Sequence, residues 1–171
     1  MKLVVLMGAL AIAPLFSQTA LDPVVKKNKV EWWHLTETPA VVSKTLGQPS
    51  QVSEAGEGYV SWQHRLPGID HESDVSSQMI FSRATGQLVS VTRSYESEID
   101  VTRLFPARES TVQPFPDNPN FRFLVRRLPN DRILVACGLA SGTPYRTTQL
   151  LLMRPDELKR LYPWVQIPPP I

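Results

Sequence analysis

The densest run of ligand-type side chains in this sequence is Gly68-Ile69-Asp70-His71-Glu72-Ser73-Asp74. Asp70, Glu72 and Asp74 match the opening carboxylates of a calcium loop. The sixth place, where glycine makes the sharp turn, is Val75, and the twelfth, where a bidentate glutamate closes the shell, is Phe81. A zinc site would need His71 together with His34 or His64, and no paired-ligand spacing joins them. The run reads as a solvated acidic loop, and no metal site is expected. Among nucleophiles, Cys137 shares a strand face with Ile133 and Val135, the setting of a buried, inert thiol. Ser141 lies in Gly138-Leu139-Ala140-Ser141-Gly142, whose glycines are misplaced for a nucleophile elbow. Neither this stretch nor Gly56-Glu57-Gly58 opens a long helix, so no phosphate cradle and no cofactor are expected. Acid–base chemistry by His64 or His71 with a carboxylate is the one enzymatic option left.

Side chains suited to binding stand out more. Arg122 and Arg126 project from one face of a strand, and Arg127 and Arg132 flank the following turn. Forked guanidinium bonds suit carboxylates and lipid headgroups. Charge on a strand also keeps a solvent-facing edge soluble. Trp32 and Trp33 are adjacent and must point to different sides of whatever element holds them, which makes one of them a candidate exposed anchor. Trp32, Trp33, Arg122, Arg126 and Arg127 are the candidate partner-binding residues, and no catalytic residue is assigned.

The elements that position these residues are legible in outline. Thr38 and Pro39 suit a helix start, Val41, Val42 and Leu46 recur at helical spacing, and Gly47 and Pro49 end the helix. Residues 59–66 alternate, with Val60, Trp62, His64 and Leu66 on one face. Residues 78–83 and 87–95 flank Ala84-Thr85-Gly86, a hairpin loop, and residues 121–128 and 132–139 flank Pro129-Asn130-Asp131. Asp100 caps a helical turn that Pro106 stops, and residues 106–120 read as a proline-rich loop without periodicity. Residues 146–153 read as a strand. Residues 155–161 read as a short helix, with Asp156 and Glu157 in its first turn and Lys159 and Arg160 in its last. The tail from 163 to 171 ends in three prolines and is expected to lie across the surface, held by Trp164 and Ile167.

The amino terminus sets the compartment. Lys2 precedes an uncharged apolar run, 3–16, and then Ser17, Gln18, Thr19 and Ala20, the order of a cleavable secretory signal over residues 1–20. As a helix the run would span roughly 21 Å against about 30 Å of hydrocarbon, too short for a membrane anchor. Cleavage after Ser17 or after Ala20 fits equally. The remaining chain, 21–171, has the size of one domain. With Cys137 alone it forms no internal disulfide, so its stability rests on apolar burial. Formal net charge is +2. Residues 21–100 carry 7 basic and 11 acidic groups and residues 101–171 carry 10 and 5. That split either marks a surface for an anionic partner or draws the two halves together. A total so near neutral excludes a general nucleic-acid binder.

Thr38-Pro39-Ala40-Val41-Val42-Ser43-Lys44-Thr45-Leu46-Gly47-Gln48-Pro49, followed by Tyr59-Val60-Ser61-Trp62, resembles the helix, "LG-x-P" stop and aromatic strand of SmpA/OmlA-type envelope lipoprotein domains, a fold shared with the β-lactamase-inhibitor proteins. The resemblance covers about residues 36–95, lacks the family's lipidated cysteine, and transfers no functional residue. It implies a non-enzymatic, protein-binding envelope domain.

The expected fold is α+β: an antiparallel sheet of five or six strands built from hairpins, with two or three short helices on one face. The expected protein is exported, periplasmic or extracellular, and is a non-enzymatic binder of another protein or a cell-envelope component; the alternative is a small envelope hydrolase using His64 or His71 with a carboxylate. No transmembrane segment is expected after signal removal.

Overall fold

The computed structural model describes residues 35–66, 75–139 and 145–169. Eight strands form one antiparallel sheet: β1 (Gln51–Glu54), β2 (Tyr59–Leu66), β3 (Val75–Ser82), β4 (Leu88–Asp100), β5 (Ser110–Phe115), β6 (Asn118–Leu128), β7 (Arg132–Leu139) and β8 (Arg146–Met153). Among the described residues there are two short helices, α1 (Pro39–Leu46) and α2 (Pro155–Leu161). The expectation of five or six strands with two or three helices is thus corrected to a mostly β fold. Two strands are additional. β1 is short and polar. β5 lies inside the stretch 106–120 that reads as a proline-rich loop, and it pairs with β6 across the Pro116-Asp117 turn. Pro114 is tolerated there because β5 is an edge strand.

The strand order is β1-β2-β3-β4-β8-β7-β6-β5. Two four-stranded meanders therefore meet at a single seam, β4 against β8, with Val91 opposite Leu152 and Arg93 opposite Leu150. The connection from β4 to β5 must run from the middle of the sheet to its far edge. Asp100 starts it by accepting bonds from the Thr102 amide (2.8 Å) and hydroxyl (2.6 Å), which hold its carboxyl below the usual carboxylate range. One helical turn follows, Phe105 N–H donating to the Val101 carbonyl. Val101, Leu104 and Phe105 are buried.

The placement of helices on one face is also corrected. Val42 of α1 and the crossover residues join one core with Met79, Val91, Leu124, Leu134, Leu150 and Leu152. Leu158 of α2 and Val165 join a second core with Phe123, Val125, Ile133, Val135, Leu151 and Met153. Successive residues of β6, β7 and β8 alternate between the two, so this half of the sheet is buried on both sides. The consecutive apolar runs in those strands have that cause. The tail lies over β5 on the second face. Gln113 Nε2 donates to the Gln166 carbonyl (2.6 Å) and the Gln166 N–H donates back to Gln113 Oε1 (2.7 Å). Trp164 packs edge-on to Phe115, with ring centroids 5.1 Å apart.

Candidate functional site

The first meander is covered less completely, and there a groove opens. The helix start brings Pro39 over the sheet, and the Leu88 N–H donating to the Glu37 carbonyl (2.7 Å) fixes the preceding segment against the head of β4. Val60 and Trp62 point up from β2, and Phe81 from β3, in register as cross-strand neighbours. Ser82, Arg83 and Gly86 of the following hairpin close the end. The open groove has a volume of about 350 Å³. Trp62 lies edge-on to Phe81, with centroids 5.1 Å apart, and is itself only half-buried. The wall is apolar apart from Ser82 and Arg83, whose Nη2 reaches Glu54 Oε1 at 2.5 Å in an exposed ion pair. Beside Trp62, the exposed Val52 of β1 carries the apolar surface to the sheet edge. Such a concavity suits one or two large apolar side chains, with polar groups at its lip.

A second feature lies one register step along the same face. His64, Ser77 and Arg93 stand opposite one another on β2, β3 and β4, and all three are buried. Among the described residues, His64 Nε2 and Ser77 Oγ have no hydrogen-bond partner. Burial pushes the imidazole pKa down, because the charged form would lose its hydration. With the histidine and the hydroxyl at 3% and 1% exposure, the pair offers no surface to a substrate, and its consequence is for stability. The unfolded chain takes up a proton near the ordinary histidine pKa, and the folded chain resists it until lower pH. Stability should therefore fall as pH drops below about 6.5, by at most about 1.4 kcal/mol per pH unit from this group. Urea midpoints measured from pH 7.5 to 5.0 should show a decline that is reduced in His64→Gln. An identical decline in the variant would remove His64 as its source.

The arginines singled out from the sequence serve different elements. Arg122 and Arg126 do share a face, but it is the face under the crossover. Arg126 Nη1 donates to the Leu104 carbonyl (2.8 Å), and its Nη2 pairs with Glu109 (2.6 Å), so it latches the crossover down. Arg122 is half-buried. Arg127 points to the opposite face and pairs with Asp131 across the turn (2.7 Å). The structure brings no exposed arginine row together from Arg122, Arg126 and Arg127. Trp32, Trp33, His71 and the acidic run 68–74 lie outside the described residues. Cys137 is partly buried, and burial raises its thiol pKa. Among the described residues, no group of three or more His, Cys, Asp or Glu side chains could hold a metal, and no helix is long and apolar enough to cross a membrane.

No family model and no curated protein matches this sequence. Two solved structures resemble it in fold. One is an extracellular protein containing an SCP domain from Bacillus anthracis, with TM-score 0.50, 12% identity, and 80% of this chain aligned to 50% of that one. The other is a cysteine-rich secretory protein from Staphylococcus aureus, with TM-score 0.48, 10% identity, and 75% aligned to 46%. The chain spans about half the length of these proteins. At such identities the likeness concerns backbone architecture alone.

The groove was the part missed by sequence reasoning. Its signal was present in Val60 and Trp62 alternating on a strand, but nothing local says that Pro39 and Phe81 complete a wall around them.

Proposed function

We propose that this is an exported, non-enzymatic domain that binds another protein or a cell-envelope component through the groove at Trp62. The observation that carries the reading is a partly buried tryptophan in a largely apolar concavity of about 350 Å³. A large aromatic in a pocket that can be dehydrated is the usual centre of a binding surface. Export rests on the amino-terminal charge and hydropathy order. It is in keeping with the extracellular Bacillus anthracis protein that shares the fold. The resemblance of residues 36–95 to SmpA/OmlA-type domains points the same way, since it implies protein binding.

The test is capture from envelope or culture-fluid extract by the immobilised mature chain, compared with Trp62→Ala. Truncating a central aromatic costs roughly 2 kcal/mol of binding, about thirtyfold in affinity, so a specifically retained partner should be lost. Val60→Lys, at the same wall, should act alike. Thermal melting of each variant separates a lost groove from a lost fold. A partner retained equally by the parent and by both folded variants would move the working surface elsewhere.

A further inference from the structure

The two edges of the sheet are not treated alike. β5 carries Pro114, which has no N–H to offer, and the tail is pinned over it through Gln113 and Gln166. Among the described residues, nothing pairs with β1 on its outer side. The Ala55 N–H donates to the Tyr59 carbonyl (3.2 Å), in the register of the β1–β2 pair, so Ala55 and Tyr59 form a hydrogen-bonded pair. Hydrogen-bonded and non-hydrogen-bonded positions alternate along an antiparallel pair. Gln51 and Ser53 therefore turn their backbone groups toward β2, while Val52 and Glu54 present theirs outward. The same two side chains lie on the groove face, Val52 beside Trp62 and Glu54 beside Val60. Val52 is 58% exposed.

We propose that β1 is a docking edge, where an extended segment of another protein adds as a ninth strand. The segment carries an apolar residue opposite Val52 and a lysine or arginine opposite Glu54. The inference rests on the groove being the working surface and specifies what enters it. Main-chain bonds to Val52 and Glu54 hold the segment, and alternate side chains are read by the face they meet. The apolar side chain extends the surface formed by Val52 and Trp62. The charge follows from the edge itself. Glu54 is the charged side chain of β1, is 72% exposed, and has only its Oε1 occupied by Arg83. Glu57 is exposed just beyond. Directly opposed unlike charges on neighbouring strands stabilise the pairing, and like charges oppose it.

The probe is a blocked, fluorescein-labelled peptide, Thr-Thr-Lys-Thr-Leu-Thr, whose antiparallel addition sets leucine opposite Val52 and lysine opposite Glu54, titrated into the chain by anisotropy. Its leucine and lysine fall on one face of a strand. Two further peptides replace lysine by glutamate or methylate alternate backbone nitrogens. Val52→Pro removes an outward N–H without removing a bond to β2, and proline is tolerated on such an edge, so its melting midpoint should stay near the parent's. Expected are binding of the lysine peptide, at least tenfold weaker binding of both altered peptides, and at least tenfold weaker binding to Val52→Pro. Glu54→Lys should reverse the preference between the lysine and glutamate peptides. No binding of the lysine peptide up to about 1 mM, or binding indifferent to Val52→Pro, overturns the proposal. So does sedimentation showing that the chain self-associates and that Val52→Pro makes it monomeric, because a second copy would then occupy the edge. The two readings fail separately. A partner lost with Trp62→Ala but kept by Val52→Pro leaves the groove and discards the edge, and the converse discards the groove.

Discussion

Phe105→Ala should lower the thermal midpoint by about 10–15 °C, the largest single effect expected from any side chain outside the groove. Phe105 is fully buried in the first core, under the connection that carries the chain from β4 to β5. Truncating a buried phenylalanine costs about 3–5 kcal/mol. In a domain of this length, each kcal/mol moves the midpoint by roughly 2–4 °C. The upper part of that range is expected because the site collapses poorly. Below the ring are side chains of the sheet, fixed by strand register, and above it the crossover is held by the Val101 N–H bond to the Tyr145 carbonyl and by Arg126 on the Leu104 carbonyl. Neither wall can move inward without breaking those bonds. Calorimetry of the folded protein checks the value. A midpoint within about 3 °C of the parent would show that the crossover repacks freely, and the account of it as a clamp would fail.

Gly138→Ala should cost about 2–3 kcal/mol, although it adds one methyl group. A Cβ at Gly138 would lie 2.5 Å from the carbonyl oxygen of Arg146. The obstruction is backbone, so no side chain can swing aside to relieve it. The first residue of β8 is held from its other side too. Arg146 is in register with Asp100, its Nη2 donates to the Glu98 carbonyl (3.3 Å), and its Nε lies 3.4 Å from the Glu98 carboxylate. Thr147 bonds back to the Cys137 carbonyl beside the glycine. The urea midpoint should fall with an unchanged slope, as it does when the native state alone is strained. Unaltered stability would mean that β7 and β8 can part locally at no cost.

Much of the secondary structure was readable, and the reasons differ by element. The helix of residues 155–161 and the end of α1 at Gly47 (φ 79°) follow from local chemistry: charge placed for the dipole, proline at the start, glycine where a left-handed conformation is needed. The Pro129-Asn130-Asp131 turn is likewise local, with Asn130 and Asp131 both at positive φ. Thr38 departs from expectation, since its carbonyl, not its hydroxyl, receives the Val41 and Val42 amides. β1 and β5 were not legible. A four-residue polar edge has no apolar face to produce a period, and a proline inside a strand argues against the strand unless its edge position is already known. The same limit applies to the candidate site. The alternation that sets Val60 and Trp62 on one face was visible, whereas the groove depends on neighbours from α1, β3 and the turn after β3. Arg122 and Arg126 show the reverse limit. Their shared face was correct, but its covering by the crossover is a tertiary fact that leaves Arg126 spent on an internal bond.

The seam between the meanders has a consequence for how the protein comes into being. Ser90 must wait for Met153, and β4 acquires its second neighbour only when the last strand has been synthesised. Contacts so distant along the chain are the slow ones. An incomplete chain would carry a half-sheet with an unsatisfied apolar border down its centre, the kind of surface on which nascent polypeptides stick together. Such a polypeptide gains by closing its middle last.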